Sequence, residues 1–104
     1  MNLKGKMDFI LSKRRKLDMN DDYGIEQSWN EIVETLSENE SDTIEYLQGC
    51  NKDDLYWISE VFEDVSEKLQ SKKYIECLRE LDKKFPKLDM TKDIDIAESY
   101  IANF

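Results

Sequence analysis

The sequence predicts an all-α protein: a single compact domain of five or six short helices packed as antiparallel helical hairpins. Glycine and proline are rare, with three and one residues, and a sheet protein with many tight turns would need more of them. Apolar residues recur three and four positions apart along most of the 104 residues, which is the spacing of a helix face. The connecting segments are short, so consecutive helices should pack roughly antiparallel.

The first half of the chain predicts three helices. Their apolar spacing places the first at about residues 6–17 and the second at about residues 25–38. Between them, residues 18–24 (DMNDDYG) read as a loop, because Asn, Asp and Gly favour turns. Ser41 is predicted to cap a short third helix, which Gly49 ends. The core face of the second helix is predicted to comprise Trp29, Ile32, Val33 and Leu36.

The second half predicts three more helices. Asn51 caps a fourth helix that runs unbroken to about Gln70. Ser71 opens a fifth helix, which Pro86 stops because proline cannot continue a helix. Thr91 is predicted to cap the last helix. The apolar face of that helix is predicted to comprise Ile94, Ala97 and Ile101.

Charge is distributed unevenly over this one predicted domain, residues 1–104. Residues 1–17 form a basic amphipathic N-terminal segment with six basic residues and one acid, whereas residues 18–67 hold sixteen acids and a single base, Lys52. An acidic block of this size argues against nucleic-acid binding through it, because phosphate recognition needs Lys and Arg. It favours either plain solubility or an electropositive protein partner.

The sequence offers no sign of a membrane or secreted protein. No apolar run reaches the length of a membrane span, and residues 7–11 are too short and interrupted for a signal-peptide core. Cys50 and Cys77 are too few for a disulfide scaffold and are expected to be buried as small apolar residues. We expect a cytoplasmic protein that does not bind membranes, with a monomer favoured.

Catalytic and metal sites are poorly represented. The chain has no histidine, which removes the commonest general base and transition-metal ligand, and it has no glycine-rich phosphate loop. Residues 18–24 resemble a calcium loop only briefly, because Tyr23 stands where the loop needs glycine and Trp29 where it needs glutamate. We therefore expect no enzyme activity, no metal and no cofactor. An enzyme that uses carboxylates alone stays a remote alternative.

The predicted fourth helix has two distinct faces. Its core stripe comprises Leu55, Ile58, Phe62, Val65 and Leu69. An aromatic side chain set among carboxylates is typical of a protein interface, and the outer face has this composition. The predicted partner-binding residues are Asp53, Tyr56, Trp57, Glu60, Glu63, Asp64 and Glu67. Trp57 lies at the boundary and is also a candidate for the core. The acids of the second helix that could contribute are Glu31, Glu34 and Glu38.

Several segments resemble a known family. They are WNEIVETL (29–36), TIEYL (43–47), LYWISEVFEDV (55–65), FP (85–86) and DIDIAESYI (93–101). Together, over about residues 27–102, they resemble small α-helical bacterial immunity proteins associated with contact-dependent growth inhibition and related polymorphic toxin systems. The resemblance implies a cytoplasmic protein that binds the toxic C-terminal domain of a secreted effector, often a nuclease. It carries over no contact residues.

The predicted function is therefore neutralisation of a cognate, basic toxin domain through an acidic surface. Charge reversal at Glu60 and Glu63 is expected to weaken such a complex without loss of helicity. One alternative is a generic acidic helical adaptor that binds another basic protein. A second is nucleic-acid or membrane binding through residues 4–17, although pairing of this basic face with the acidic block is the favoured interpretation.

Overall fold

The computed structural model describes residues 2–102. Its helices are α1 Leu3–Lys16, α2 Asp22–Leu36, α3 Glu40–Gln48, α4 Lys52–Ile58, α5 Phe62–Leu69, α6 Lys72–Lys84 and α7 Thr91–Ser99. Short 3₁₀ segments span Ser59–Val61 and Pro86–Leu88. If α4, the first 3₁₀ segment and α5 are taken as one bent helix, residues 2–102 form six helices in one globule and contain no strand. The predicted all-α fold class is confirmed.

Side-chain caps fix where most of the helices begin. In each of five caps, the side chain accepts a hydrogen bond from the backbone N–H three residues later, which satisfies a donor that the helix itself cannot. The five residues are Asn2, Asp21, Asn39, Asn51 and Ser71. The predicted cap Asn51 is confirmed, and Ser71, which is predicted to open the fifth helix, is its cap. Each such cap typically stabilises its helix by about 1 kcal/mol.

Two predicted helix starts in the first third of the chain are too late. α1 begins at Leu3, and α2 begins at Asp22, inside the segment predicted as a loop. The reason for the second is the Asp21 cap, whose Oδ1 lies 2.9 Å from the Gly24 backbone nitrogen. A Cβ on Gly24 would lie 2.6 Å from Asp21 Oδ2, so the absence of a side chain there leaves room for the capping carboxylate.

The predicted caps Ser41 and Thr91 are wrong. Asn39, not Ser41, caps α3. Thr91 is the first residue of α7 rather than its cap, and its hydroxyl donates instead to Asp82 Oδ2 at 2.5 Å. α7 ends before Ile101, which is nevertheless buried in the core beyond the helix end.

The predicted unbroken fourth helix is interrupted at Ser59–Val61. Two side chains satisfy backbone carbonyls around the break: the Ser59 hydroxyl donates to Tyr56 O at 2.7 Å, and the Tyr74 hydroxyl donates to Phe62 O at 3.0 Å. The predicted core stripe nevertheless survives across the break, since four of its five residues are buried. The exception is Leu69, which is half-buried.

Each of the helices α1–α7 contributes buried residues to the core. The helices do not all pack against their neighbours in the sequence, as a chain of consecutive hairpins would. α1 packs on α2, whereas α5 packs most closely on α7, and α6 packs on both α7 and α3. The largest fully buried side chains include Tyr74, Phe62 and Met7. The predicted burial of both cysteines is confirmed, and both are free thiols.

The basic N-terminal segment is an integral part of this core. Met7 and Leu11 of α1 are completely buried, and Ile10 is nearly so. The basic residues of α1 therefore lie on a helix that is held firmly against the rest of the domain. Within residues 2–102, no helix is both long and apolar enough to cross a membrane.

Candidate protein-binding surface

The break in the bent helix divides the seven predicted contact residues among three elements. Asp53, Tyr56 and Trp57 lie on α4, Glu60 lies in the 3₁₀ segment, and the remaining three lie on α5. Trp57 and Glu63 are half-buried. The exposed residues of the set are Asp53, Tyr56, Glu60, Asp64 and Glu67. Tyr56 is the most informative of them, because 57% of its surface is exposed although it is a large aromatic residue.

Two concave regions meet at Tyr56 and Glu60. The smaller one, which we call the α4–α7 cleft, has a volume of about 260 Å³ and brings Tyr56, Glu60 and Glu63 together with Asp93 and Ile96 of α7. Burial raises the pKa of Asp93, with the nearby Asp89 carboxylate adding to the effect. The predicted residues Asp53, Asp64 and Glu67 line neither concave region.

The larger concave region lies between the α1–α2 connection, α2 and α4, and has a volume of about 790 Å³. We call it the aromatic–acidic groove. It is lined by Arg14, Leu17, Asp18, Met19, Asp22, Ile25, Glu26, Trp29, Tyr56, Trp57 and Glu60. Tyr56 and Trp57 form a T-shaped pair on one wall, with ring centroids 5.1 Å apart. Three of the predicted contact residues therefore line it: Tyr56, Trp57 and Glu60.

The groove exposes apolar residues that sequence reasoning did not assign to a surface. Met19 is 84% exposed, and Trp29, which was predicted to belong to the core face of α2, is 37% exposed. The indole N–H of Trp29 explains this position, because it donates to Glu60 Oε1 at 3.2 Å instead of turning inward. Recognition of the Asp21 cap would have placed Asp22, Glu26 and Trp29 on one side of α2, since they are four and three residues apart.

Glu60 is held by two other groove residues. Arg14 donates from Nε to Glu60 Oε1 at 3.3 Å and from Nη2 to Oε2 at 3.0 Å, a forked ion pair. The Arg14 guanidinium also lies over the Trp57 ring, 4.5 Å from its centroid, and the residue is only 7% exposed. Glu60 therefore accepts three hydrogen bonds from within the chain, so its carboxylate is already committed before any partner arrives.

Three other basic residues of α1 also pair with the acidic block. Besides Arg14 with Glu60, the ion pairs are Arg15 with Asp54, Lys13 with Glu31, and Lys6 with Glu38. Glu31 and Glu38 were possible contributors to the contact face, and both have a cation from α1 beside them. The exposed pairs contribute little to stability, typically 0–1 kcal/mol, but they lower the local negative charge.

The structure gives little support to a metal or thiol site. Among residues 2–102, no cluster of three or more Cys, Asp or Glu side chains is arranged to hold a metal ion. Burial raises the pKa of Cys50 to about 11, and it does the same for Cys77. Both thiols therefore stay protonated at neutral pH, the less nucleophilic form.

No protein-family model matches the chain, and no similar curated protein or solved structure was found.

Proposed function

We propose that this chain is an immunity protein, which binds and neutralises the basic toxin domain of a secreted effector and so protects the cell that makes it. The single observation that carries the proposal is Tyr56, a largely exposed aromatic residue at the junction of two concave regions rimmed by carboxylates. Aromatic anchors of this kind supply much of the binding energy in protein interfaces.

The charge of the chain supports a basic partner. After the ion pairs with α1 are taken into account, the acids Asp18, Asp22 and Glu26 still rim the groove, and Glu63 still lines the cleft. A nuclease toxin needs a positively charged surface to bind its polyanionic substrate. An acidic protein that covers this surface would block substrate binding without any chemistry of its own, and the opposite charges would speed its capture.

The test begins with co-purification of the tagged chain from its native host, followed by mass spectrometry. We expect a toxin or effector fragment to be recovered with it. In a growth assay, the fragment should be toxic alone and non-toxic in complex with this chain. Recovery of no such fragment would count against the proposal. Recovery of a basic partner that is not toxic would instead favour the generic adaptor.

Variants then connect the complex to the surface. Glu63→Lys in the α4–α7 cleft should weaken toxin binding by about tenfold, because it places a cation where the basic partner approaches. Glu76→Lys, an equal change of charge at an exposed position of α6, is the matched control and should leave the affinity nearly unchanged. Equal effects of the two variants would show that only the overall charge matters.

A further inference from the structure

We propose that the aromatic–acidic groove is the docking site for a lysine or arginine side chain, flanked by an apolar side chain, on a basic protein partner. The proposal rests on the proposed function in one respect: it names the groove as the surface through which the toxin domain is held. It concerns a surface that the helical pattern of the bent helix did not reveal, since most of the groove belongs to the α1–α2 connection and to α2.

The groove exposes a large apolar surface. Met19, Trp29 and Tyr56 are 84%, 37% and 57% exposed, and all three line the same groove. Exposed large apolar side chains are unremarkable when scattered singly, but they indicate a binding surface when they line one concave region. The volume of about 790 Å³ is large enough for side chains of a partner segment.

The rim of the groove is acidic. Asp18, Asp22 and Glu26 all line the groove, whereas Arg14, the one basic residue among the described residues that line it, is already paired with Glu60. Within residues 2–102 none of these three acids has an ion pair, so the groove offers negative charge beside aromatic faces. A lysine or arginine side chain satisfies both features, because its carbon stem packs on aromatic surface while its cation reaches the carboxylates.

The groove already binds one group of this kind. The Arg14 guanidinium, which belongs to the chain itself, lies over the Trp57 indole ring and forms a bidentate ion pair with the Glu60 carboxylate. Tyr56 and Trp29, together with the acids of α2, offer the same chemistry on the open side of the groove. An anionic ligand would be repelled there, and a purely apolar segment would desolvate the carboxylates without pairing them.

Both of the chain's tryptophans line this groove, so intrinsic fluorescence reports its occupancy directly. The probe is a set of capped peptides in which leucine alternates with arginine, with glutamine or with glutamate. We expect the arginine peptide to change the tryptophan emission and to bind at least about tenfold more tightly than the glutamine peptide. Equal binding of the arginine and glutamine peptides, or tighter binding of the glutamate peptide, would overturn the proposal.

Matched variants locate the binding site. The double variant Asp22→Asn/Glu26→Gln should weaken arginine-peptide binding by about tenfold, whereas Glu45→Gln/Glu76→Gln removes the same charge elsewhere and should not. Tyr56→Ala should also weaken binding by about tenfold, and Phe9→Ala, which removes an exposed aromatic residue outside the groove, should have no effect. Equal losses within either matched set would overturn the proposal.

The toxin fragment separates this proposal from the proposed function. If the fragment is neutralised equally well by the wild type, by Asp22→Asn/Glu26→Gln and by Tyr56→Ala, the groove proposal fails and the immunity function stands. If the arginine peptide binds in the groove but no toxin is recovered from the host, the immunity function fails and the groove proposal stands. If these variants lose both the peptide and the toxin while the control variants keep both, the two proposals are supported together.

Discussion

Glu60 is expected to stabilise the fold through Arg14, and the structure sets the size of the effect. Glu60→Ala removes the carboxylate that accepts hydrogen bonds from the Arg14 guanidinium and from the Trp29 indole N–H, and Arg14 is only 7% exposed. Loss of one partner from a fully buried ion pair costs about 3–5 kcal/mol. The Glu60 side chain keeps 29% of its surface exposed, so water can replace part of the interaction, and we expect a loss of about 2 kcal/mol.

A double-mutant cycle isolates this interaction. Arg14→Met keeps an apolar side chain over Trp57 and leaves a carboxylate that can turn to solvent, so it should cost only about 1 kcal/mol. The free energy of unfolding of the double variant Arg14→Met/Glu60→Ala should fall by about 1.5 kcal/mol. This is well below the sum of the two single losses, because no unpaired cation remains. Urea unfolding followed by far-UV circular dichroism measures all four proteins.

The exposed pair Lys13 and Glu31 provides the matched control for this cycle. Both of its side chains are more than one-third exposed, so Lys13→Met and Glu31→Gln should be additive to within about 0.5 kcal/mol. If the Arg14 and Glu60 variants are equally additive, the reasoning about the buried ion pair is refuted. The same geometry revises the expectation for charge reversal at Glu60, which would set two cations together and disturb the fold as well as any complex.

Asp89 has a left-handed φ of 53°, so Asp89→Gly should raise the free energy of unfolding by about 0.5 kcal/mol. Gln70 also has a left-handed φ, of 48°, but Gln70→Gly should lower the free energy of unfolding, because the Gln70 side chain forms hydrogen bonds with Tyr100 O and Ala102 N. Urea unfolding of the two variants measures both changes. Burial raises the pKa of Cys50 and Cys77 from 9.0 to about 11, so the folded state holds these protons more tightly. The free energy of unfolding that these two thiols contribute is intact below pH 9 and is lost as the pH rises towards 11. Urea unfolding should therefore give a free energy of unfolding about 1–2 kcal/mol lower at about pH 10 than at about pH 8. The double variant Cys50→Ala/Cys77→Ala should show a smaller difference between the two pH values. The association rate with the toxin domain should fall severalfold between low and physiological salt in stopped-flow measurements, and a rate independent of salt would reject electrostatic steering.

Local signals were sufficient for the fold class and for part of the helix boundaries. Asn51 is predicted as a cap and Ser71 as the start of a helix, and both act as caps, because capping depends on residues within one turn. The break at Ser59–Val61 could not be predicted in this way. One of its stabilising contacts, from the Tyr74 hydroxyl to Phe62 O, joins two different helices and exists only after they have packed.

The candidate surface was only partly predictable for the same reason. The helical pattern correctly placed Tyr56 in solvent, since exposure of a helix face follows from local periodicity. It could not distinguish Glu60, which Arg14 holds, from Glu63, because Arg14 lies 46 residues earlier in the chain. Nor could it show that the α1–α2 connection completes a groove with α4.

The basic helix α1 therefore decides which acids a partner can meet. Arg14, Arg15, Lys13 and Lys6 each pair with a carboxylate of the acidic block. Asp18, Asp22 and Glu26 on the groove rim and Glu63 in the α4–α7 cleft are left for an outside cation. In this arrangement α1 shapes the negative surface instead of competing for a polyanion, which weighs against the alternative of nucleic-acid or membrane binding through residues 4–17.

That alternative needs a gentler test than deletion of residues 4–17. Deletion would remove Met7, Ile10 and Leu11, which are buried in the core, so loss of any activity would follow from unfolding. Lys4→Gln/Lys16→Gln instead changes two exposed positions of α1 and keeps the core and Arg14 intact. If α1 only shapes the acidic surface, this variant should bind the toxin domain as tightly as the wild type in calorimetry. A selective loss of binding to anionic vesicles or to nucleic acid, at unchanged stability, would show instead that α1 has its own polyanionic partner.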